Sequence, residues 1–182
     1  MMKDTPESER DLLRSRARAL AAPAKTQTPA GRVFDVIEFT LAGERYAVET
    51  SCVVEVQPLQ HLTPLPGTPP FLLGIINVRG HILAVIDLKR FFDLPAEGIS
   101  DLHRVIVLRQ GDVELGILAD QVVGNLSVHE EDLHADLPSL KGIRSDFLRG
   151  VDANRLTVLH ASRILQDPRL VIDQHAPASP SS

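Results

Sequence analysis

The chain has 182 residues and a formal net charge of −5, from 19 Lys and Arg against 24 Asp and Glu. That length makes one domain or two small ones, and the acidic balance with 4% aromatic residues excludes the basic stripe and the base-stacking platform of a nucleic-acid binder. Cys52 is the single cysteine, which excludes an internal disulfide and a thiolate metal cage.

In chain order, residues 5–22 read as a short helix. Thr5 suits the N-cap and Pro6 the first helical position. Glu7, Glu9 and Asp11 precede Arg14, Arg16 and Arg18, the order a helix dipole favours. Leu13, Ala17 and Leu20 form a thin apolar stripe. It is either a frayed surface helix or an accessory docking helix. Pro23 ends it, and residues 23–31 form a linker, so 1–31 is expected to be an extension outside the core. Its polar start has no secretory apolar region, and no stretch in the chain reaches the about 18 apolar residues of a membrane span. The expectation is a cytoplasmic protein with no direct membrane insertion.

From Val33 onward, short runs rich in β-branched residues recur between Gly, Pro, Asn and Asp. They are 33–41, 45–49, 51–59, 75–78, 81–86, 104–109, 113–119, 121–126 and 155–160. This spacing predicts an all-β barrel or sandwich. Helical turns are predicted at 88–92 and 162–165, loops at 64–70 and 93–102, and a partly disordered tail over 167–182 whose end, 177–182, is Pro/Ser-rich.

The core also repeats itself. Val36-Ile37-Glu38-Phe39 aligns with Val105-Ile106-Val107-Leu108, Tyr46-Ala47-Val48 with Leu115-Gly116-Ile117, and Val53-Val54 with Val122-Val123, all at an offset of 69. Phe71-Leu72-Leu73-Gly74-Ile75 then matches Phe147-Leu148-Arg149-Gly150-Val151 at 76, and Leu83–Ile86 matches Leu156–Leu159 at 73. The predicted core, 32–166, therefore holds two related subdomains, approximately 33–92 and 102–165. Units of that size have marginal cores alone, so close packing or exchange of strands is expected.

Motifs for catalysis are few. No nucleophile elbow, phosphate loop or dinucleotide fingerprint occurs. His129-Glu130-Glu131-Asp132-Leu133-His134 has metal-ligand residue types, but histidines five apart do not share a helix face. A metal-dependent enzyme using His129 and His134 is the remote alternative. Residues 127–132 read instead as an exposed turn or helix start capped by Ser127. Asp87 reads as a cap for the turn after it, and Cys52 as a small apolar packing residue. Asn77-Val78-Arg79-Gly80 joins two apolar runs as a hairpin turn, with Gly80 free to take positive φ. Arg79 is then either a solvated turn residue or an anchor beside an apolar groove.

These residues, in this order, resemble the CheW family. The resemblance spans roughly 33–166 and rests on Phe39-Thr40-Leu41, Tyr46–Glu49, Val53–Val56, Thr68–Gly74, Ile76–Leu88, Leu115–Asp120 and Phe147–Gly150. It implies two strand-exchanged SH3-like five-stranded β-barrels, with no catalysis and no cofactor. It implies an adaptor that couples the cytoplasmic tip of chemoreceptors to the regulatory domain of a CheA-type histidine kinase in membrane-associated arrays. The alternative role is a CheW-like protein that sequesters or inhibits a kinase in a non-flagellar pathway. Carried over by position, Arg79 falls on the receptor-contacting arginine, Val53 and Glu55 on the strand lining the receptor groove, and Val122 on a second groove position. Ala84 stands where the family usually has proline, a local strand detail.

Overall fold

The computed structural model describes residues 31–95, 98, 102–134 and 145–170. The helix predicted over 5–22, its linker and the tail beyond residue 170 lie outside these described residues.

Among the described residues, ten strands and two short helices follow in chain order: β1 (Val33–Leu41), β2 (Glu44–Glu49), β3 (Val53–Pro58), β4 (Leu72–Val78), β5 (His81–Ile86), α1 (Leu88–Phe91), β6 (Arg104–Gln110), β7 (Val113–Ala119), β8 (Gln121–His129), β9 (Leu148–Val151), β10 (Thr157–Leu159) and α2 (Ala161–Gln166). They form two five-stranded sheets, ordered β8-β1-β2-β10-β9 and β3-β6-β7-β5-β4. Each sheet takes strands from both repeats, so the chain crosses from one sheet to the other after β2 and again after β7.

The two orders are one order written twice: adding or subtracting five strand numbers converts the first into the second. The registers agree residue by residue. Val158 pairs with Ala47 and Leu159 with Val48, as Val85 pairs with Gly116 and Ile86 with Ile117. These are the repeat equivalents, so the internal similarity read in the sequence is a structural pseudo-twofold. Both pairs are parallel, and the remaining contacts within each sheet are antiparallel.

Apolar burial falls into three clusters. Val36, Ala47, Val128, Leu156 and Val158 fill the barrel built on β1 and β2. Leu73, Ile76, Leu83, Val85, Val105, Val107 and Leu118 fill the other. The largest cluster draws on both sheets and so lies between them. It includes Ile37, Phe39, Tyr46 and Val48 from one sheet, and Ile86, Ile106, Leu108 and Ile117 from the other. Phe92, Ile164 and Leu165 from the helical turns close it. At about 1.5–3 kcal/mol per buried large apolar side chain, cores of five and seven residues do not sustain independent barrels. The shared core does most of the stabilising, and Val105-Ile106-Val107-Leu108 of β6 is a continuous apolar run because both faces of that strand are covered.

The repeated Phe-Leu-x-Gly has a steric cause. A Cβ on Gly74 would collide with the Thr63 carbonyl, and one on Gly150 would lie 2.7 Å from the Leu133 Cβ. In both halves a crossing segment bridges to the strand at the next residue, Thr63 to Ile75 and His134 to Val151. Phe71 and Phe147 repeat as well. Their carbonyls accept the N–H groups of Asp87 and His160, at 2.7 and 2.8 Å, where α1 and α2 begin.

Some expectations are corrected. The strand expected from Ser51 begins at Val53, after a 3₁₀ turn at Thr50–Cys52. The four-residue β9 was not expected as a strand, because Arg149 and Gly150 break its apolar pattern. Ser127 caps nothing: it lies within β8 and its hydroxyl donates to Asp35 at 2.6 Å, while the 3₁₀ turn starts at Glu130. The folded core also runs past residue 166. Leu170 is buried and Arg169 stacks on Phe91, so 167–170 belong to the core rather than to a tail.

Candidate docking site

β4 and β5 pair up to Val78 and His81, which leaves Arg79-Gly80 as a two-residue turn. Both residues have positive φ, 50° and 91°, the primed geometry whose twist matches a hairpin. Gly80 adopts it without steric cost, and its N–H donates to the Asn77 Oδ1 at 2.8 Å. The turn lifts the Arg79 side chain to 81% exposure, and its Nη2 donates to the Glu55 Oε2 at 2.6 Å. A pair this exposed adds at most about 1 kcal/mol of stability. Its consequence is geometric: it ties the β4–β5 tip to β3.

Val53 and Val122 stand at matching places on the two edge strands, β3 and β8. Pairing steps from Val53↔Leu108 to Glu55↔Val107, and from Phe39↔Val122 to Glu38↔Gly124. Each step is a β-bulge, with Val54 and Val123 the extra residues. Neighbouring residues of a strand face opposite ways, and the burial alternates straight through both bulges. Val53 and Val122 pack against the shared core, while Val54 and Val123 are 44% and 57% exposed. The structure thus places Arg79 and Glu55 in direct contact, and Val53 and Val122 on one common core from separate sheets. The sequence reading missed Val54 and Val123. The signal was present: a Val-Val pair recurs at an offset of 69 in strands that otherwise alternate.

Beside the hairpin lies an open groove of about 530 Å³ lined by Leu65, Ile75, His81, Ile82, Ala84, Asp112 and Glu114. Ile82 is 61% exposed in its wall. The other residues singled out in the sequence lie elsewhere. Asp87 caps α1 by accepting the Lys89 N–H at 2.9 Å, and Cys52 packs against the shared core. His129 is exposed at the end of β8, and His134 bridges to Val151 through its backbone. Among the described residues no three His, Cys, Asp or Glu side chains gather as a metal site, and no helix is long and apolar enough to cross a membrane.

Comparison with known proteins decides the family. The CheW-like domain profile matches residues 35–169. The chain belongs to the CheW-like domain family. It is similar to the chemotaxis protein CheW of Bacillus subtilis, with 32% identity over 111 residues, covering 61% of this chain and 69% of that protein. It is also similar to the protein FrzA of Myxococcus xanthus, with 32% identity over 158 residues, 84% of this chain and 94% of that one. The crystal structure of the scaffolding protein TtCheW from Thermoanaerobacter tengcongensis superposes with a TM-score of 0.62 at 28% identity, covering 74% of this chain and 87% of that one. The CheW-like fold and an adaptor or scaffold role in chemotaxis-type signalling follow. The matched span reaches residue 169, in keeping with the packing of 167–170 on the core.

Proposed function

We propose that this CheW-like chain is a non-enzymatic adaptor. On this reading it couples chemoreceptors to the regulatory domain of a CheA-type kinase, on the cytoplasmic side of membrane-associated arrays. The observation that carries the reading is the Arg79–Glu55 pair at the hairpin tip, set beside the bulged valines of β3. An apolar helical hairpin would seat against exposed valines, the helix-in-groove mode, and the paired charges at the rim would fix its orientation. Weak single contacts would be multiplied by assembly of many copies.

Calorimetric titration against the regulatory domain of a CheA kinase from the same genome tests the reading. Saturable one-to-one binding, with receptor-dependent kinase activation on adding the adaptor, is the expected result. Binding that silences the kinase would favour the sequestering role, and no binding would overturn the kinase partnership.

A further inference from the structure

A charged network at the second crossover stands outside the docking residues. β7 ends at Ala119 and β8 begins at Gln121, so the chain changes sheets in the single residue Asp120. The first crossover, after β2, takes a three-residue 3₁₀ turn instead. The repeat equivalent of Asp120 is Ser51, so nothing in the shared architecture demands a carboxylate there.

Asp120 is held from several sides. Its N–H donates to the Thr40 carbonyl at 3.0 Å, and its Oδ2 accepts the Ala42 N–H at 2.8 Å, fastening the corner to the end of β1. Its Oδ1 pairs with the ammonium of Lys89 on α1 and lies 3.1 Å from the His103 Nε2. The Lys89 side chain is 2% exposed. Asp87, which also lies near α1, uses its Oδ1 on the Lys89 backbone N–H and its Oδ2 on Arg90 at 3.5 Å. Asp120 is thus the carboxylate that meets the buried ammonium.

We infer that Asp120 is a positioning residue for the docking surface: anchored by Lys89, His103 and Ala42, it fixes the corner from which β8 departs and so sets where Val122 and Val123 stand. The inference rests on the docking reading of Val122. The chemistry is one-sided. A buried ammonium strongly resists losing its counter-ion, so the corner has one favourable arrangement. Val122 is two residues along the strand from it. Releasing the corner lets the bulge re-form in another register and moves both valines.

The test compares Asp120→Asn with wild type in the full chain. Hydrogen exchange read residue by residue should show the amides of 121–123 opening roughly tenfold or more faster, while the amides of β5 and β10 keep their protection relative to one another. Affinity for a soluble chemoreceptor-tip fragment should fall by about tenfold or more. Val158→Ala, a barrel-interior variant of comparable stability loss, should retain that affinity. Equal weakening by both variants, or unchanged exchange at 121–123, overturns the inference. If Asp120→Asn does not fold, Lys89→Met is read in the same way. If the wild type does not bind the fragment, the docking reading fails, and the exchange comparison alone decides whether Asp120 positions β8.

Discussion

Gly74 runs directly beneath the carbonyl oxygen of Thr63, with no room for a side chain between them. The contact is flanked by a reciprocal pair of backbone hydrogen bonds. The Thr63 N–H reaches the Ile75 carbonyl at 2.8 Å, and the Ile75 N–H reaches the Thr63 carbonyl at 2.9 Å. Gly74 also has a φ of +147°, which L side chains rarely adopt. Gly74→Ala is therefore expected to destabilise the fold by about 3 kcal/mol or more. Gly150→Ala would put its Cβ 2.7 Å from the Leu133 Cβ, which moves only with its backbone, but Gly150 lacks the positive φ of Gly74 and no carbonyl oxygen lies in the way, so the cost is expected to be smaller, about 2 kcal/mol. Urea denaturation midpoints of the two variants check the ranking.

The Arg79–Glu55 pair yields a prediction of the opposite kind. Arg79→Glu places two carboxylates together at an exposed tip, so stability should change by less than about 1 kcal/mol. Binding of a receptor-tip fragment should weaken by about tenfold or more, while binding of the kinase regulatory domain stays near wild type. The double exchange Arg79→Glu with Glu55→Arg should rebuild the ion pair. Recovery of receptor binding in the double variant indicates that the pair's geometry matters. Continued loss indicates that the partner reads the arginine itself. Equal loss of both partners would make the residue structural.

Much of this fold was legible because it is written twice. The offsets of 69, 73 and 76 gave the strand correspondences that the registers reproduce. β9 was hidden because Arg149 takes the place of Leu73 in its repeat. Arg149 lies over the Phe34 ring at 3.8 Å and pairs with Glu49 and Glu130, contacts with residues far from it in sequence. The Asp120 network was hidden for the same reason: Lys89 and Asp120 are 31 residues apart and meet only once the sheets have formed. The repeat held a usable clue, since Asp120, Lys89 and Arg149 each stand opposite an uncharged residue in the other half: Ser51, Ser162 and Leu73. The hairpin was easier to read, because Asn-x-Arg-Gly carries its turn chemistry locally.

Acid should expose the Asp120 network. Burial by itself would raise the Asp120 value, but the hydrogen bond from Lys89, the Ala42 N–H and the charges of Lys89 and His103 outweigh it and hold it below the ordinary 3.8. The folded state therefore binds this proton less readily than the unfolded chain. The stabilisation is fully present above the ordinary value and is lost as pH falls through the depressed folded value. Denaturation at about pH 5.5 and about pH 3 should show a fall in stability that is smaller in Asp120→Asn. The same fall in both proteins would assign the acid sensitivity to other carboxylates.

His160 gives a second pH dependence in a different window. It sits at the start of α2, where burial and then the charges of Arg163 and Arg149 push its value below 6.5, against the smaller opposing pull of Glu49 and Glu130. The unfolded chain then takes up this proton more readily than the folded one, so stability should drop as pH falls through the ordinary value toward the lower folded one. His160→Gln removes the titration and should flatten the stability profile between about pH 8 and about pH 5. The variant must also keep the His160 N–H bond to the Phe147 carbonyl, which is a backbone contact and survives the substitution. Parallel pH profiles for wild type and variant would show that His160 does not carry the sensitivity. A flattened profile would place it at the junction where Phe147, α2 and β9 meet.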